Sequence, residues 1–174
     1  AVLVLGAVVS GWWTPKTGNE GFIAVGESPY QQVRVSERED GWRALEVNEQ
    51  RGSFQSLWSP EPGLLGPGYY YDYFALPPAW SNARGEWELL VLGLGAGTTW
   101  RVLDGSLPSG AELKATGVEL DPLVIDMARK HMGLAEVQGG RRVISGWDAR
   151  VALGPLTRSG GRWDQVVVDV YANQ

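Results

Sequence analysis

LLVLGLGAGTT, Leu89 to Thr99, is the stretch that decides how this chain folds. ELLVLGL is a short continuous apolar run, the pattern of a strand buried on both faces. Gly93, Gly95 and Gly97 follow it directly as GxGxG. Glycines there permit a tight turn and let backbone approach a ligand closely. Thr98 and Thr99 then open a helix, TTWRVLDGSL, whose first N–H groups can take an anionic or carboxylate group. The dinucleotide pattern GxGxxG is not completed, because Thr98 stands where the third glycine belongs. A nicotinamide dehydrogenase is therefore disfavoured. Such a turn can also serve only to let a helix pack on a strand, so the neighbouring segments must decide.

Downstream, strands and helices alternate. LKATGVEL reads as a second strand and DPLVIDMARKHMGL as a helix, with Asp121 as N-cap and Pro122 in its first turn. RRVIS is a third strand, DARVALGPL a short helix and WDQVVVDV a fourth strand. This alternation implies a parallel sheet with right-handed crossovers, doubly wound in the order 3-2-1-4. Three acids then fall at strand ends. Glu119 closes the second strand, where an acid can accept both ribose hydroxyls of an adenosine. Asp148 lies just past the third strand; it can accept from an adenine amino group, with Trp147 as a neighbouring wall, or simply cap the next helix. Asp169 ends VVVD, and in this order the fourth strand lies beside the first, across the switch point. Its carboxylate would face the glycine loop and could hold a cationic amine or remove its proton; a solvated strand end is the alternative.

The first half has a different period. From about Phe22 to Trp58, apolar and polar residues alternate through QVRVSE, WRALEVNE and SFQSLW, which predicts an antiparallel meander. SPEPGLLGPG is a loop, and YYYDYFALPPAW a short aromatic helix stopped by Pro77 and Pro78. The chain divides into an apolar stub and linker (1–20), a small β domain (21–84) and a nucleoside-binding α/β domain (85–174). AVLVLGAVVSGWW is too short to span a bilayer by itself; it reads as a buried strand or helix, or as the end of a membrane helix with WW as interfacial anchors. The other end stops just after a strong strand, so truncation is expected at both ends.

Composition narrows the function. The 174 residues contain no cysteine and one histidine, His131, which excludes thiolate and histidine-rich metal sites. The net charge is −5 without a basic block, which argues against a nucleic-acid partner and suits a cationic small substrate. Most of the nine tryptophans are expected to be packing.

Taken in order, these motifs resemble the spermidine/spermine synthase family, a branch of the class I methyltransferase-like fold. The resemblance covers nearly all the chain from Glu27 onward. ESPYQ, Glu27 to Gln31, is similar to the family's ESxYQ; VLGLGAGT to its glycine loop; GVELDP to VELDP; WDAR to the acid after the third strand; and VVVD to the catalytic strand. The resemblance implies that Gln31 contacts the donor nucleoside, Glu119 the ribose and Asp148 the adenine, while Asp169 acts on the acceptor amine. It implies an aminopropyltransferase that uses decarboxylated S-adenosylmethionine and a small polyamine such as putrescine, without a metal, and that dimerises.

Three motifs depart from the family. Its loop acid, which helps bind the donor's ammonium, is Ala96 here. Its YHEM stretch is YYDY, so Tyr71 and Asp72 stand at substrate-binding positions. The second acid of VDxxD is Ala172. This pattern resembles the divergent synthase-like branch, some members of which follow a membrane region, and implies a cytoplasmic domain with a tether. The expected architecture is thus a Rossmann-like, mostly parallel sheet preceded by a small antiparallel β domain, with C-terminal strands missing. An S-adenosylmethionine-dependent methyltransferase on this scaffold, or a non-catalytic nucleoside-binding domain fused to a membrane protein, are the competing readings.

Overall fold

The apolar run that opened the reading is the centre of the molecule. In the computed structural model, which describes residues 2–3, 22–47, 54–134 and 139–170, it forms strand β6 (Gly85–Leu92). Its side chains alternate between two cores. Leu89 and Val91 enter one, Leu90 and Leu92 the other. A strand with both faces covered has no polar face to spare, which is why its sequence is continuously apolar.

On either side of β6 lie β7 (Ala111–Glu119) and β9 (Gln165–Val168), and β8 (Arg141–Ser145) pairs with β7. All these pairings are parallel, in register Leu92↔Val118, Leu92↔Val168 and Val118↔Ile144. The order β8-β7-β6-β9 is the predicted 3-2-1-4. A short strand β1 (Val2–Leu3) pairs in parallel with β9. These two residues are therefore extended rather than helical, which corrects the membrane-helix reading for them. The rest of the stub and linker, 4–20, falls outside the described residues. Among the described residues no helix is long and apolar enough to cross a membrane.

Helix α4 (Ala149–Arg158) covers one face of the sheet through Ala152 and Leu156. The other face carries α2 (Thr98–Ser106), α3 (Pro122–His131) and a second sheet. That sheet is the predicted meander: β2 (Phe22–Glu27), β3 (Gln32–Glu37), β4 (Arg43–Val47) and β5 (Phe54–Trp58), antiparallel and in chain order. Val33, Leu45 and Leu57 share one continuous core with Leu89, Trp100 and Ile125. Burying side chains of this size contributes about 2 kcal/mol each, and here it holds the two sheets together.

Between the sheets runs a 3₁₀ segment, Tyr70–Ala75, which passes into helix α1 (Leu76–Trp80). This corrects the expectation that Pro77 and Pro78 stop the aromatic helix. They lie in the first turn of α1, where a missing N–H costs nothing. The segment is anchored by a buried amide: Gln165 Nε2 donates to the Phe74 carbonyl at 3.0 Å, and Trp87 Nε1 donates to Gln165 Oε1 at 3.2 Å.

Candidate active site

The site lies along the carboxyl edge of the parallel sheet. At the switch point, the backbone N–H of Asp169 donates to the carbonyl of Leu92 at 2.8 Å, which continues the β6–β9 ladder by one residue. Gly93 turns away immediately after, at φ 85°. A Cβ at Gly93 would collide with the carbonyl group of Asp169. Only glycine, free of a side chain and at ease at positive φ, lets the two strand ends sit this close. The half-buried Asp169 carboxylate accepts a hydrogen bond from Tyr70 Oη at 2.8 Å. Tyr70 in turn stacks on Tyr71, with ring centroids 4.2 Å apart.

The glycine loop is tied down by protein at every amide. The N–H groups of Gly93 and Leu94 both donate to the Val118 carbonyl, and that of Gly97 to the Leu94 carbonyl. Gly95 N–H donates to Glu119 Oε2 at 2.9 Å, and Ala96 N–H to Ser56 Oγ at 2.8 Å. Thr98 Oγ1 accepts from the Leu57 amide and donates to the Leu57 carbonyl. Strand β5 thus sits against the start of α2. The loop amides from Gly93 to Gly97 are thus all partnered; the amides expected to take an anion are the next ones, at the start of α2, where Gly97 supplies no side-chain cap. A Cβ at Gly95 would collide with Ser56 Oγ, and one at Gly97 would lie 2.7 Å from Leu134 Cδ1. What approaches these three glycines closely is the protein's own structure.

Glu119 bridges this loop to the next. Its Oε2 takes the Gly95 amide and its Oε1 takes the Asp121 amide at 3.1 Å. Burial raises its carboxyl above the ordinary value of 4.5, against the pull of these N–H donors. The Leu120 amide bonds this carboxylate as well, so of its roughly four acceptor sites about one is left for a hydroxyl. Asp121 caps α3 as predicted, its Oδ1 accepting from the Leu123 amide at 2.9 Å. Its Oδ2 accepts from Gln31 Nε2 at 3.2 Å and Ser28 Oγ at 2.7 Å. The ESPYQ turn and the GVELDP turn, some ninety residues apart in sequence, therefore meet directly.

Asp148 caps α4. It accepts from the Arg150 amide at 2.8 Å, and the Arg150 guanidinium lies 2.5 Å from its Oδ2. Those Arg150 contacts lower its carboxyl from 3.8 to about 2. The turn before it reaches Glu119, since the Gly146 amide donates to the Glu119 carbonyl at 2.9 Å. Trp147 is exposed beside it.

Of the YYDY residues, Tyr71 and Asp72 are not the ones that meet the acid. Tyr71 is only 2% exposed, and its hydroxyl donates to the Gln55 carbonyl at 2.5 Å. Both oxygens of Asp72 accept loop amides, from Leu65 and Gly66, each at 2.8 Å. Tyr70, which sequence reasoning passed over, is the tyrosine that reaches Asp169. Successive residues of a three-residue turn point about 120° apart, so only one of three adjacent tyrosines can do so. Ser56 and Ser28 were also missed, since a serine within or beside a strand carries no signal by itself. Ala172 lies outside the described residues.

Solved proteins share this arrangement of an antiparallel meander against a 3-2-1-4 parallel sheet. The spermidine synthase of Thermotoga maritima superposes with a TM-score of 0.56 at 20% identity, covering 86% of this chain and 47% of that one. A polyamine aminopropyltransferase of Pyrobaculum calidifontis is 25% identical over 168 residues, 90% of this chain and 53% of that one. The chain is thus similar in sequence to a polyamine aminopropyltransferase and in fold to spermidine synthases. A spermidine synthase in complex with the transition state analogue AdoDATO also has a TM-score of 0.56, at 21% identity over 87% of this chain and 47% of that one. A probable spermidine synthase from Corynebacterium glutamicum has a TM-score of 0.54 at 19% identity, over 80% of this chain and 47% of that one. No protein-family model matches the chain. The chain spans about half the length of these spermidine synthases and of the curated relative.

Proposed function

We propose that the protein is an aminopropyltransferase that moves the aminopropyl group of decarboxylated S-adenosylmethionine to a polyamine such as putrescine. The observation that carries this reading is the Tyr70–Asp169 pair at the switch point, beside the glycine turn. The acceptor amine is cationic in water and attacks only after losing a proton. Asp169 holds the ammonium and takes its proton; Tyr70 fixes the carboxylate that does so. The amine nitrogen then bonds to the carbon next to the donor's sulfonium. The carbon–sulfur bond breaks, its electrons stay on sulfur, and methylthioadenosine leaves. The protein's main contribution is to align the two partners.

The adenosyl part rests on Glu119 for the ribose, Asp148 for the adenine and Gln31 for the nucleoside, over the turn at Gly93, Gly95 and Gly97. Loop amides that are already partnered suit a cationic sulfonium better than a pyrophosphate, which would demand them. In the proposed roles, Tyr71 and Asp72 shape the acceptor site by holding Tyr70 and the 62–66 loop rather than by touching the amine.

The test is calorimetry with both donors, followed by turnover. Decarboxylated S-adenosylmethionine is expected to bind more tightly than the carboxylated form; the reverse preference would sink the proposal. Asp169→Asn is expected to lower kcat by about 100-fold or more while nucleoside affinity is retained. Tyr70→Phe should lower kcat by about tenfold, the worth of one hydrogen bond to a charged group. Unchanged turnover in Asp169→Asn would remove the acid from the mechanism. Dimerisation belongs to the same reading and is checked by light scattering.

A further inference from the structure

Asp121 has no part in the chemistry just described, yet it is 1% exposed and fully engaged. Capping α3 uses only Oδ1, through the Leu123 amide. A cap does not require the second oxygen to reach another sheet. Here Oδ2 takes Ser28 Oγ at 2.7 Å and Gln31 Nε2 at 3.2 Å, both from the turn between β2 and β3. Ser28 also accepts the amides of Tyr30 and Gln31, each at 3.1 Å, so the turn is pinned at its middle. Apolar contact supports the same junction. A Cβ at Gly26 would lie 2.7 Å from Met127 Cε and 3.1 Å from Leu123 Cδ1, so β2 rides directly on α3. On its other side, the Asp121 amide donates to Glu119 Oε1 at 3.1 Å.

We propose that Asp121 is a positioning residue for the donor: its side chain aims the Gln31 amide and its backbone aims the Glu119 carboxylate, so one residue sets two nucleoside-reading groups on different sheets. The inference rests on the reading of Gln31 and Glu119 as donor-binding groups. Gln31 has two amide hydrogens and a carbonyl. With one hydrogen held by Asp121, its remaining hydrogen and its oxygen are left with a defined direction. Without that anchor, the side chain regains its rotamers and must be ordered again by the ligand.

The test uses the intact protein and methylthioadenosine as probe, with calorimetric Kd and thermal unfolding measured on each variant. Asp121→Asn retains an oxygen for the Leu123 amide and turns an NH2 toward Gln31, whose amide must flip to accept from it and so presents the reversed donor and acceptor to the nucleoside. Its Kd is expected to rise about tenfold, the usual scale for losing a hydrogen bond to a charged group. Gln31→Ala added to Asp121→Asn is expected to raise it little further, because both changes remove one interaction. A purely structural Asp121 would give independent, multiplying effects, and that result overturns the inference. So does an unchanged Kd in Asp121→Asn. If Asp121→Asn does not fold, Ser28→Ala takes its place: a smaller rise in Kd, reversed by Ser28→Thr, is expected, and no rise overturns the inference. A wild-type protein that binds neither methylthioadenosine nor the donor takes down the functional reading, and this inference with it. A wild type that binds while the variants match it takes down the inference alone.

Discussion

Asp121 and Asp148 occupy nearly the same local place. Each follows a strand of the same sheet, each adopts extended backbone, and each accepts the amide two residues on to cap a helix. Their surroundings differ in one respect. Across from Asp121 lies another sheet, which supplies Ser28 and Gln31 and excludes water. Across from Asp148 lies solvent, and its partner is the neighbouring Arg150. The same three-residue motif thus makes a buried junction in one place and an exposed cap in the other. What decides is whether a second element packs over the helix N-terminus.

The largest expected consequence is in stability. Asp121→Ala removes a cap and two further hydrogen bonds to a charged, buried oxygen, and should cost about 3 kcal/mol in urea unfolding. Asp148→Ala, at an exposed cap, should lower the midpoint distinctly less. Equal losses would mean that the contact between sheets adds nothing to the cap. A middle-sized effect concerns acid. Burial holds the Glu119 carboxyl above 4.5. Its contribution to folding is complete below that value and is lost as pH rises through the raised one. The proposed donor binding runs the other way, because in that reading ribose hydroxyls donate to the ionised form. Methylthioadenosine affinity should therefore start to fall on acidification above pH 4.5, and Glu119→Gln should be weak and flat across that window. A wild type with no such step would remove Glu119 from the ribose. The smallest effect is at Asp148, whose carboxyl is lowered from 3.8 to about 2. Its stabilisation is complete above 3.8 and is lost as pH falls through about 2. Carboxyl NMR should show Asp148 titrating last in the wild type. Arg150→Ala should return it toward the ordinary range; an unmoved titration would show that the Arg150 guanidinium does not hold it.

The same contrast explains what could be read from sequence. The sheet order was legible because β6 ends in an apolar run buried on both faces, and because helices with clear starts separate the four strands. The meander was legible because QVRVSE alternates and turns Val33 and Val35 to the core, whereas RALEV reads less cleanly because Ala44 to Val47 are all buried. Asp121 as a cap was legible too, since a cap is local. Its second partnership was not, because nothing near residue 121 announces Ser28. Tyr70 was hidden for the same reason. Three consecutive tyrosines are chemically alike, and the one that meets Asp169 is chosen by how the 3₁₀ segment docks on Gln165 and Phe74. Matching by motif favoured Tyr71 and Asp72, which hold backbone instead. Pro77 and Pro78 misled because proline ends a helix from inside but opens one at its first turn.

The contact between Gly93 and Asp169 has a consequence for folding. Tyr70 and Asp169 stand 99 residues apart along the chain, and β9, which carries the acid, is only 4 residues long. The acid acquires its position only when that short strand closes onto β6, which comes late in assembly because long loops must close first. A short strand also opens first. Under native conditions, amides of Val168 and Asp169 should exchange with solvent faster than those of Leu90 and Val91. The proposed turnover would then disappear on heating before the cores melt, so an assay of it would read the docking of one strand and not the stability of the whole molecule.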